Sequence, residues 1–220
     1  MPKLGMAEIR KPQLIDATMR AIDSVGLARA NVTTISGYAG VTPAIINHYF
    51  GGKDGLLAAT MREILEIHRK SVREQLARIP HDDVVGRIMA IVGGNFSKRY
   101  TNSPVVKTWL TFWAQAMHEP MLSRLQQVNE RRLLSHLKLE LKRVLPPDRA
   151  LLVARAVAAL IDGIWLRGAL NPNGIDARLA QDIILDYLSL NLPQELIQRY
   201  HAHNIPADDE ADAVLVAVER

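Results

Sequence analysis

Apolar residues recur at steps of three and four along almost the whole chain, and Gly or Pro separates each such stretch from the next. This spacing places apolar side chains on one face of an α-helix. No stretch of convincing length alternates polar and apolar residues as a half-buried strand does. A chain of 220 residues, 48% of them apolar, can bury a sizeable core. We therefore predict an all-α protein of one or two domains, with about nine helices.

Composition limits the kinds of functional site that the chain can contain and indicates its cellular compartment. The chain has no cysteine, which excludes disulfides, thiolate nucleophiles and Cys-ligated metals and is typical of a reducing compartment. No basic and apolar leader opens the sequence, so we expect a cytoplasmic protein. Residues 150–170 are long enough to span a membrane, but they include Arg155, Asp162 and Arg167. Charges are costly at the bilayer centre, so we interpret this segment as a buried helix and expect no membrane contact.

The first two helices are predicted from their end signals. Residues 14–25 carry an amphipathic pattern that Gly26 should end, since glycine is common just after the last helical residue. Thr33 or Thr34 can cap a short second helix, which should end at Gly40.

A third helix follows almost at once, with an unusually complete start signal. Thr42 is a good N-cap, and Pro43 stands at the first helical position, where its missing N–H costs nothing. Val41 and Ile46 occupy the two positions of a hydrophobic staple. Two short helices joined by a tight turn have the proportions of a helix-turn-helix, whose second helix lies in the DNA major groove.

The third helix presents an outward face suited to base edges. With Ile46 and Phe50 turned inward, the residues that project outward are Pro43, Ala44, Asn47 and His48. An asparagine can pair with adenine, a histidine can donate to a base or a phosphate, and apolar side chains can meet a thymine methyl group.

Residues that flank this face are candidates for phosphate contacts. Tyr49 offers a neutral phenol donor, and Lys53 offers an ammonium beside a helix N-terminus. Thr33, Thr34 and Thr42 can contribute hydroxyl donors. The alternative is a structural helical corner with a solvated polar face, which any one of these residues would also fit; the whole arrangement favours DNA.

These residues resemble the DNA-binding domain of the TetR family of bacterial transcription regulators. The resemblance covers residues 8–55, departs from the family pattern at Ser36 and Gly37, and implies a three-helix domain that binds an operator. The matching segments are Ile35, Ala39-Gly40-Val41-Thr42, His48-Tyr49-Phe50 and Lys53-Asp54-Gly55-Leu56-Leu57.

The resemblance continues over about 190 residues into a branch of that family whose members respond to choline and repress glycine betaine synthesis genes. It implies a ligand-binding and dimerisation domain at residues 56–192. The chain departs from this branch in its last twenty-five or so residues, and we interpret residues 193–220 as a polar and acidic extension. Matching segments include Ile91-Val-Gly-Gly-Asn-Phe96, Trp109-Leu-Thr-Phe-Trp113, Met117-His118, Arg131-Arg-Leu-Leu-Ser135 and Ala159-Leu-Ile-Asp-Gly163.

A quaternary ammonium ion cannot donate a hydrogen bond, so a protein holds it with aromatic faces and a carboxylate. Trp109 and Trp113 share a helix face at i, i+4, and Asp162 and Trp165 share another at i, i+3. If these faces oppose each other, they form an aromatic box with one acid. Tryptophan at helical spacing is also typical of core packing, so both interpretations remain open. Further lining candidates are Tyr100, Phe112 and Met117.

The segments 147–170 and 175–192 are apolar on more than one face. One face can pack on the chain's own helices and another on a second copy, which predicts a homodimer with a two-fold four-helix interface. A dimer also supplies the two reading heads that a palindromic operator requires.

Charge does not identify the DNA-binding segment. Residues 1–55 carry six Lys and Arg against four Asp and Glu, whereas residues 56–145 carry fifteen against eight. The basic excess therefore lies mainly in the predicted sensor domain.

Other functions remain as alternatives: a TetR-like repressor that senses a flavonoid, a fatty acyl group or a drug cation, an all-helical enzyme, or a helical adaptor. The sequence contains no His-Glu-x-x-His, no phosphate-binding glycine loop and no nucleophile motif, so we expect no enzyme, no metal and no cofactor besides a regulatory ligand. Gly93-Gly94 falls within a helical pattern and predicts close helix packing or a kink.

Overall fold

The computed structural model describes residues 5–98, 101 and 103–203, and within these ranges every regular element is a helix. The prediction of an all-α protein is confirmed. The ten helices are α1 (Met6–Arg29), α2 (Val32–Ala39), α3 (Pro43–Phe50), α4 (Lys53–Leu76), α5 (Val84–Asn95), α6 (Ser103–Ala116), α7 (Pro120–Leu141), α8 (Pro147–Leu170), α9 (Ala177–Ser189) and α10 (Gln194–His203).

The described part of the chain has one helix more than predicted. Residues 194–203 form α10, whose Ile197 is buried against the core. Its sequence is mostly polar, so a single buried anchor was too weak a pattern to predict a helix. Residues 204–220, the rest of the predicted extension, lie outside the described residues.

The first helix differs from the prediction at both ends. It begins at Met6 and contains Pro12, so it extends upstream of the amphipathic pattern. Gly26 leaves the helical conformation with φ 74° and ψ 162°, as expected of a glycine stop, but one more turn follows as far as Arg29.

The long helix α4 joins the α1–α3 bundle to the rest of the molecule, because α1 and α3 pack near its start and α5 packs along it. At Gly94 in α5, an added Cβ would lie 2.5 Å from Val72 Cγ2 and 2.8 Å from Val72 Cα on α4. Such distances leave no room for a side chain. The prediction of close packing at Gly93-Gly94 is therefore confirmed at Gly94.

A buried carboxylate fixes α5 to α7. Glu140 is only 3% exposed, and its two oxygens accept hydrogen bonds from Arg87 Nε at 2.8 Å and Arg143 Nη1 at 2.7 Å. Two guanidinium partners offset the cost of burying one negative charge.

In the described ranges, no helix combines the length and apolarity needed to cross a bilayer. Residues 150–170 instead form most of α8 and bury Val153, Val157, Ile161 and Trp165.

Candidate functional site

The helical corner formed by α2 and α3 is fixed to α1 by side chains. Gln13 Nε2 donates to the carbonyl oxygen of Ala39 at 2.7 Å, and Arg20 Nη2 donates to that of Tyr38 at 3.1 Å. These bonds satisfy carbonyl groups at the C-terminal end of α2. Gly40 then takes the left-handed conformation, with φ 64°, and turns the chain into α3.

The cap of α2 is Asn31, not Thr33 or Thr34 as predicted. Asn31 Oδ1 accepts from the backbone N–H of Thr34 at 2.8 Å and from the Thr34 hydroxyl at 3.1 Å. The helix therefore starts at Val32, since an asparagine two residues before the threonines already satisfies the first turn.

The start of α3 agrees with its sequence signal in position. Thr42 is the N-cap residue with an extended backbone, and Pro43 is the first helical residue. The Thr42 side chain makes no capping hydrogen bond, so its hydroxyl is not used by the helix. Ile46 is fully buried and anchors α3 in the bundle.

The outward face of α3 consists of exposed residues. Pro43, Ala44, Asn47 and His48 are all exposed, while Tyr49 is half-buried and makes an edge contact with the His48 ring at 4.8 Å between centroids. A short helix with an exposed amide, an imidazole and small apolar groups has the chemistry needed to read a major groove.

The candidate phosphate contacts differ in their surroundings. Thr33 is exposed on α2, whereas the Thr34 hydroxyl is bonded to Asn31. Lys53 Nζ donates to the Leu27 carbonyl oxygen at 3.3 Å, so it holds α4 to the end of α1. An ammonium has three donors, so this bond leaves others for a phosphate.

A second candidate site is an open groove of about 480 Å³ among α6, α7 and α8. Of the predicted ligand residues, it brings together Trp113, Met117 and Asp162. The other lining residues are Ala116, Ser123, Gln126 and Gln127.

The remaining predicted ligand residues lie in the core rather than around this groove. Trp165 is 2% exposed, and its indole Nε1 donates to the Asn95 carbonyl oxygen of α5 at 3.1 Å. Trp109 and Phe112 are buried and stack on each other at 5.2 Å between ring centroids. The expected box of opposed tryptophan faces is therefore not formed. Asp162 lines the groove, whereas Trp165, three residues later on α8, points into the core. Tyr100 lies outside the described residues.

Asp162 is the charged group of the groove. It makes no hydrogen bond or ion pair with any residue in the described ranges, although its side chain is accessible from the groove. Asp162 is exposed as a residue, but neighbouring protein atoms partly shield its carboxyl from water and raise the carboxyl pKa to about 6, and the negative charge of Glu130 adds to the rise. An unpaired carboxylate that is partly shielded from water favours the binding of a cation.

Two polar atoms at the groove lack partners. Trp113 Nε1, a donor, and Gln126 Oε1, an acceptor, are both buried and make no hydrogen bond within the described part of the chain. Unsatisfied buried polar groups are costly and frequently mark a ligand or water position. Sequence reasoning missed Gln126, whose only signal was a pair of glutamines on the predicted α7.

A third surface is apolar and exposed. Leu170, at the end of α8, is 73% exposed, and Leu179, on α9, is 55% exposed. They line a groove of about 520 Å³ between the two helices. Other exposed apolar residues on these helices are Leu152, Leu166 and Ile183.

Together, the helical corner of α2 and α3 and the helical scaffold define a helix-turn-helix transcription regulator. Residues 14–60 match the profile of bacterial regulatory proteins of the tetR family, and residues 85–193 match that of the BetI-type transcriptional repressor C-terminal domain. The HTH-type transcriptional regulator BetI of Vibrio campbellii is 58% identical over 192 residues, which are 87% of this chain and 96% of that protein. The chain therefore belongs to the TetR family, in its BetI-type branch, whose members are transcription regulators and not enzymes.

Solved structures share the fold. A transcriptional regulator of Pseudomonas aeruginosa PAO1 has 26% identity and a TM-score of 0.72, with 83% of this chain and 89% of that chain covered. A regulator from Saccharomonospora viridis, solved in complex with choline, has 17% identity and a TM-score of 0.74, with 84% and 98% covered.

Proposed function

We propose that the protein represses glycine betaine synthesis genes by binding their operator as a homodimer, and that choline bound in the groove among α6, α7 and α8 weakens this binding. The observation that carries the choline assignment is the unpaired Asp162 carboxylate beside Trp113 in an open groove. A quaternary ammonium ion needs a counter-charge and an aromatic surface, and it requires no hydrogen-bond acceptor.

The polar atoms of the groove fit the other end of choline. A hydroxyl group both donates and accepts, which is the combination that Gln126 Oε1 and Trp113 Nε1 require. Glycine betaine carries a carboxylate in place of this hydroxyl, and Asp162 would repel it. The groove therefore favours choline over glycine betaine. The same fold accommodates choline in the Saccharomonospora viridis regulator.

On DNA, the exposed face of α3 enters the major groove. Asn47 and His48 contact base edges, with Pro43 and Ala44 against thymine methyl groups, whereas Tyr49, Lys53 and the threonines contact phosphates. Two copies of α3, one from each protomer, then read two half-sites about one helical turn apart or a multiple of it.

The dimer forms through α8 and α9. Their exposed leucines and isoleucine would be buried against the same face of a second copy, in a two-fold interface. In each protomer the groove among α6, α7 and α8 borders this face, because Asp162 lies one helical turn from the exposed Leu166.

Two structural connections can transmit the effect of choline binding to the DNA-binding bundle of α1–α3. α4 runs directly into the α1–α3 bundle, and α6, which carries Trp113, is bonded to α1: Lys107 Nζ lies 2.8 Å from Asp23 Oδ1, and the Ser103 hydroxyl donates to the same oxygen at 2.8 Å. A ligand that moves α6 or α4 changes the spacing of the two reading heads. Because linkage is reciprocal, operator DNA must weaken choline binding by the same factor.

The test is fluorescence anisotropy of the purified protein on the DNA upstream of its own gene, at one stated salt concentration. Choline is titrated in, with glycine betaine and a non-cationic osmolyte as controls. We expect specific binding that choline alone weakens. Specific binding that is indifferent to choline would retain the repressor and reject the ligand, and the absence of specific binding would reject the operator function.

A further inference from the structure

A basic groove between α4 and α7 is separate from the surfaces described above. It has a volume of about 360 Å³ and is lined by Arg69, Arg73, Leu76, Arg132 and His136. No acidic residue is among these lining residues. The groove accounts for part of the basic excess of residues 56–145, which DNA binding by α3 leaves unexplained.

The charges around the groove do not cancel. Glu66, on the same helix, pairs with Arg69, its Oε1 lies 3.8 Å from Arg73 Nη2, and the charge of Arg132 also lowers its pKa, so one carboxylate serves three guanidinium groups. Arg132 is half-buried and makes no hydrogen bond or ion pair with any described residue. The neighbouring acid on α7, Glu140, is engaged by Arg87 and Arg143. An excess of about two positive charges therefore remains at the groove.

At its inner end the groove adjoins, beside its arginines, polar side chains that carry no charge near pH 7. Arg69, Arg132 and His136 also border a small internal space, together with His68, Asn95 and Asn129. Burial lowers the pKa of His68 to about 4, so its ring is neutral near pH 7. Amide groups and a neutral imidazole can orient an anion without opposing it.

We propose that this groove binds a small divalent oxyanion, which bridges Arg69 and Arg73 of α4 to Arg132 of α7. Guanidinium groups match phosphate, sulfate and carboxylate oxygens through paired N–H donors, and two excess positive charges match a dianion.

The location gives the site a regulatory consequence. Arg69 and Arg73 lie 16 to 20 residues beyond Lys53 on α4, about 24 to 30 Å at the rise of an α-helix. They are too far along α4 to contact the DNA beside α3. An anion that joins α4 to α7 holds the long helix that carries the reader, so anion concentration is a second input, independent of the groove that contains Asp162.

The test follows the His136 ring by NMR in the full-length protein, with sulfate as the probe because it stays divalent throughout the titration. The signal is assigned among the seven histidines with His136→Gln. Desolvation and the charge of Arg132 lower the His136 pKa. A dianion stabilises the imidazolium form, so sulfate should raise this pKa by about one pH unit relative to chloride at equal ionic strength. Phosphate at fixed pH should compete with sulfate.

Two variants and a control complete the design. Arg132→Gln should raise the His136 pKa in chloride and abolish the further rise with sulfate, and the exposed Arg73→Gln should weaken the sulfate response. Arg131→Gln is the control, because it removes the same charge from the residue of α7 that precedes Arg132. The Nε of Arg131 donates to the Gln127 carbonyl oxygen of its own helix, so this change should leave the response intact. An equal effect of sulfate and chloride, or an equal loss in all three variants, would overturn the proposal.

Discussion

At the residue scale, Asp162 gives the proposed ligand site a pH dependence. Its pKa of about 6 means that the carboxylate is gained as pH rises through that value. Choline affinity should therefore increase with pH up to about one unit above it, which isothermal titration calorimetry without DNA would measure. Asp162→Asn should weaken binding about tenfold, or about 1.4 kcal/mol, and remove the pH dependence.

Glu130→Gln serves as the matched variant for this pH profile. It removes the second cause of the raised pKa and keeps the Asp162 carboxylate, so the midpoint of the profile should move to lower pH. A profile that survives in Asp162→Asn would place the titrating group elsewhere.

Asn47 and Tyr49 should separate base reading from phosphate contact. Asn47→Ala should relax preference at one base pair by about 1 to 3 kcal/mol, because a paired amide distinguishes adenine from other bases. Tyr49→Phe removes a phosphate donor and should weaken binding to all sequences alike. Anisotropy on an operator and its single-base variants measures both, and unchanged preference in Asn47→Ala would contradict the placement of α3 in the major groove.

At the element scale, the bond between α6 and α1 is a testable connection. Lys107→Gln breaks the ion pair with Asp23 without touching the groove or α3. The factor by which choline weakens operator binding should fall towards one, while choline affinity without DNA changes less than about twofold. Lys142→Gln, an exposed change just after α7, is the control. An unchanged factor in Lys107→Gln would leave α4 as the route.

The contact between α4 and α5 depends on one glycine more than on its neighbour. Gly94→Ala places a methyl group against the backbone of Val72 and should reduce the free energy of unfolding by about 1 to 3 kcal/mol. At Gly93 the added atom meets only the end of the Gln75 side chain, 2.5 Å from Oε1, which can move. Gly93→Ala should therefore cost less. Urea unfolding at one protein concentration measures both, and equal losses would contradict the packing argument.

At the scale of the whole molecule, the exposed apolar face of α8 and α9 should decide the oligomeric state. Leu170→Glu places a charge in the proposed interface, so we expect a monomer in sedimentation velocity and a large loss of operator affinity. Leu139→Glu is the matched control, because Leu139 is 64% exposed on α7, a helix that contributes no residue to the groove between α8 and α9. A Leu170→Glu protein that remains dimeric would reject this interface.

Local sequence patterns predicted every helix of the described ranges except α10, and most of the DNA-binding corner of α2 and α3. The glycine at position 40, the Thr42-Pro43 start and the inward Ile46 act within one or two helical turns, so their consequences follow from the chain itself. The cap of α2 was assigned two or three residues late, because Asn31 already accepts from the Thr34 N–H in the first turn, and both threonines therefore lie inside the helix. The face of α3 followed from helical spacing alone.

Only the tertiary structure decided which side chains share a groove. Helical spacing placed Asp162 and Trp165 on one face, but α5 accepts the Trp165 indole while α6 and α7 border Asp162. Likewise, no local pattern joins Arg69 of α4 to Arg132 of α7, which are 63 residues apart in the sequence. A sequence determines the faces that a helix can present, whereas the crossing of several helices determines which of those faces meet.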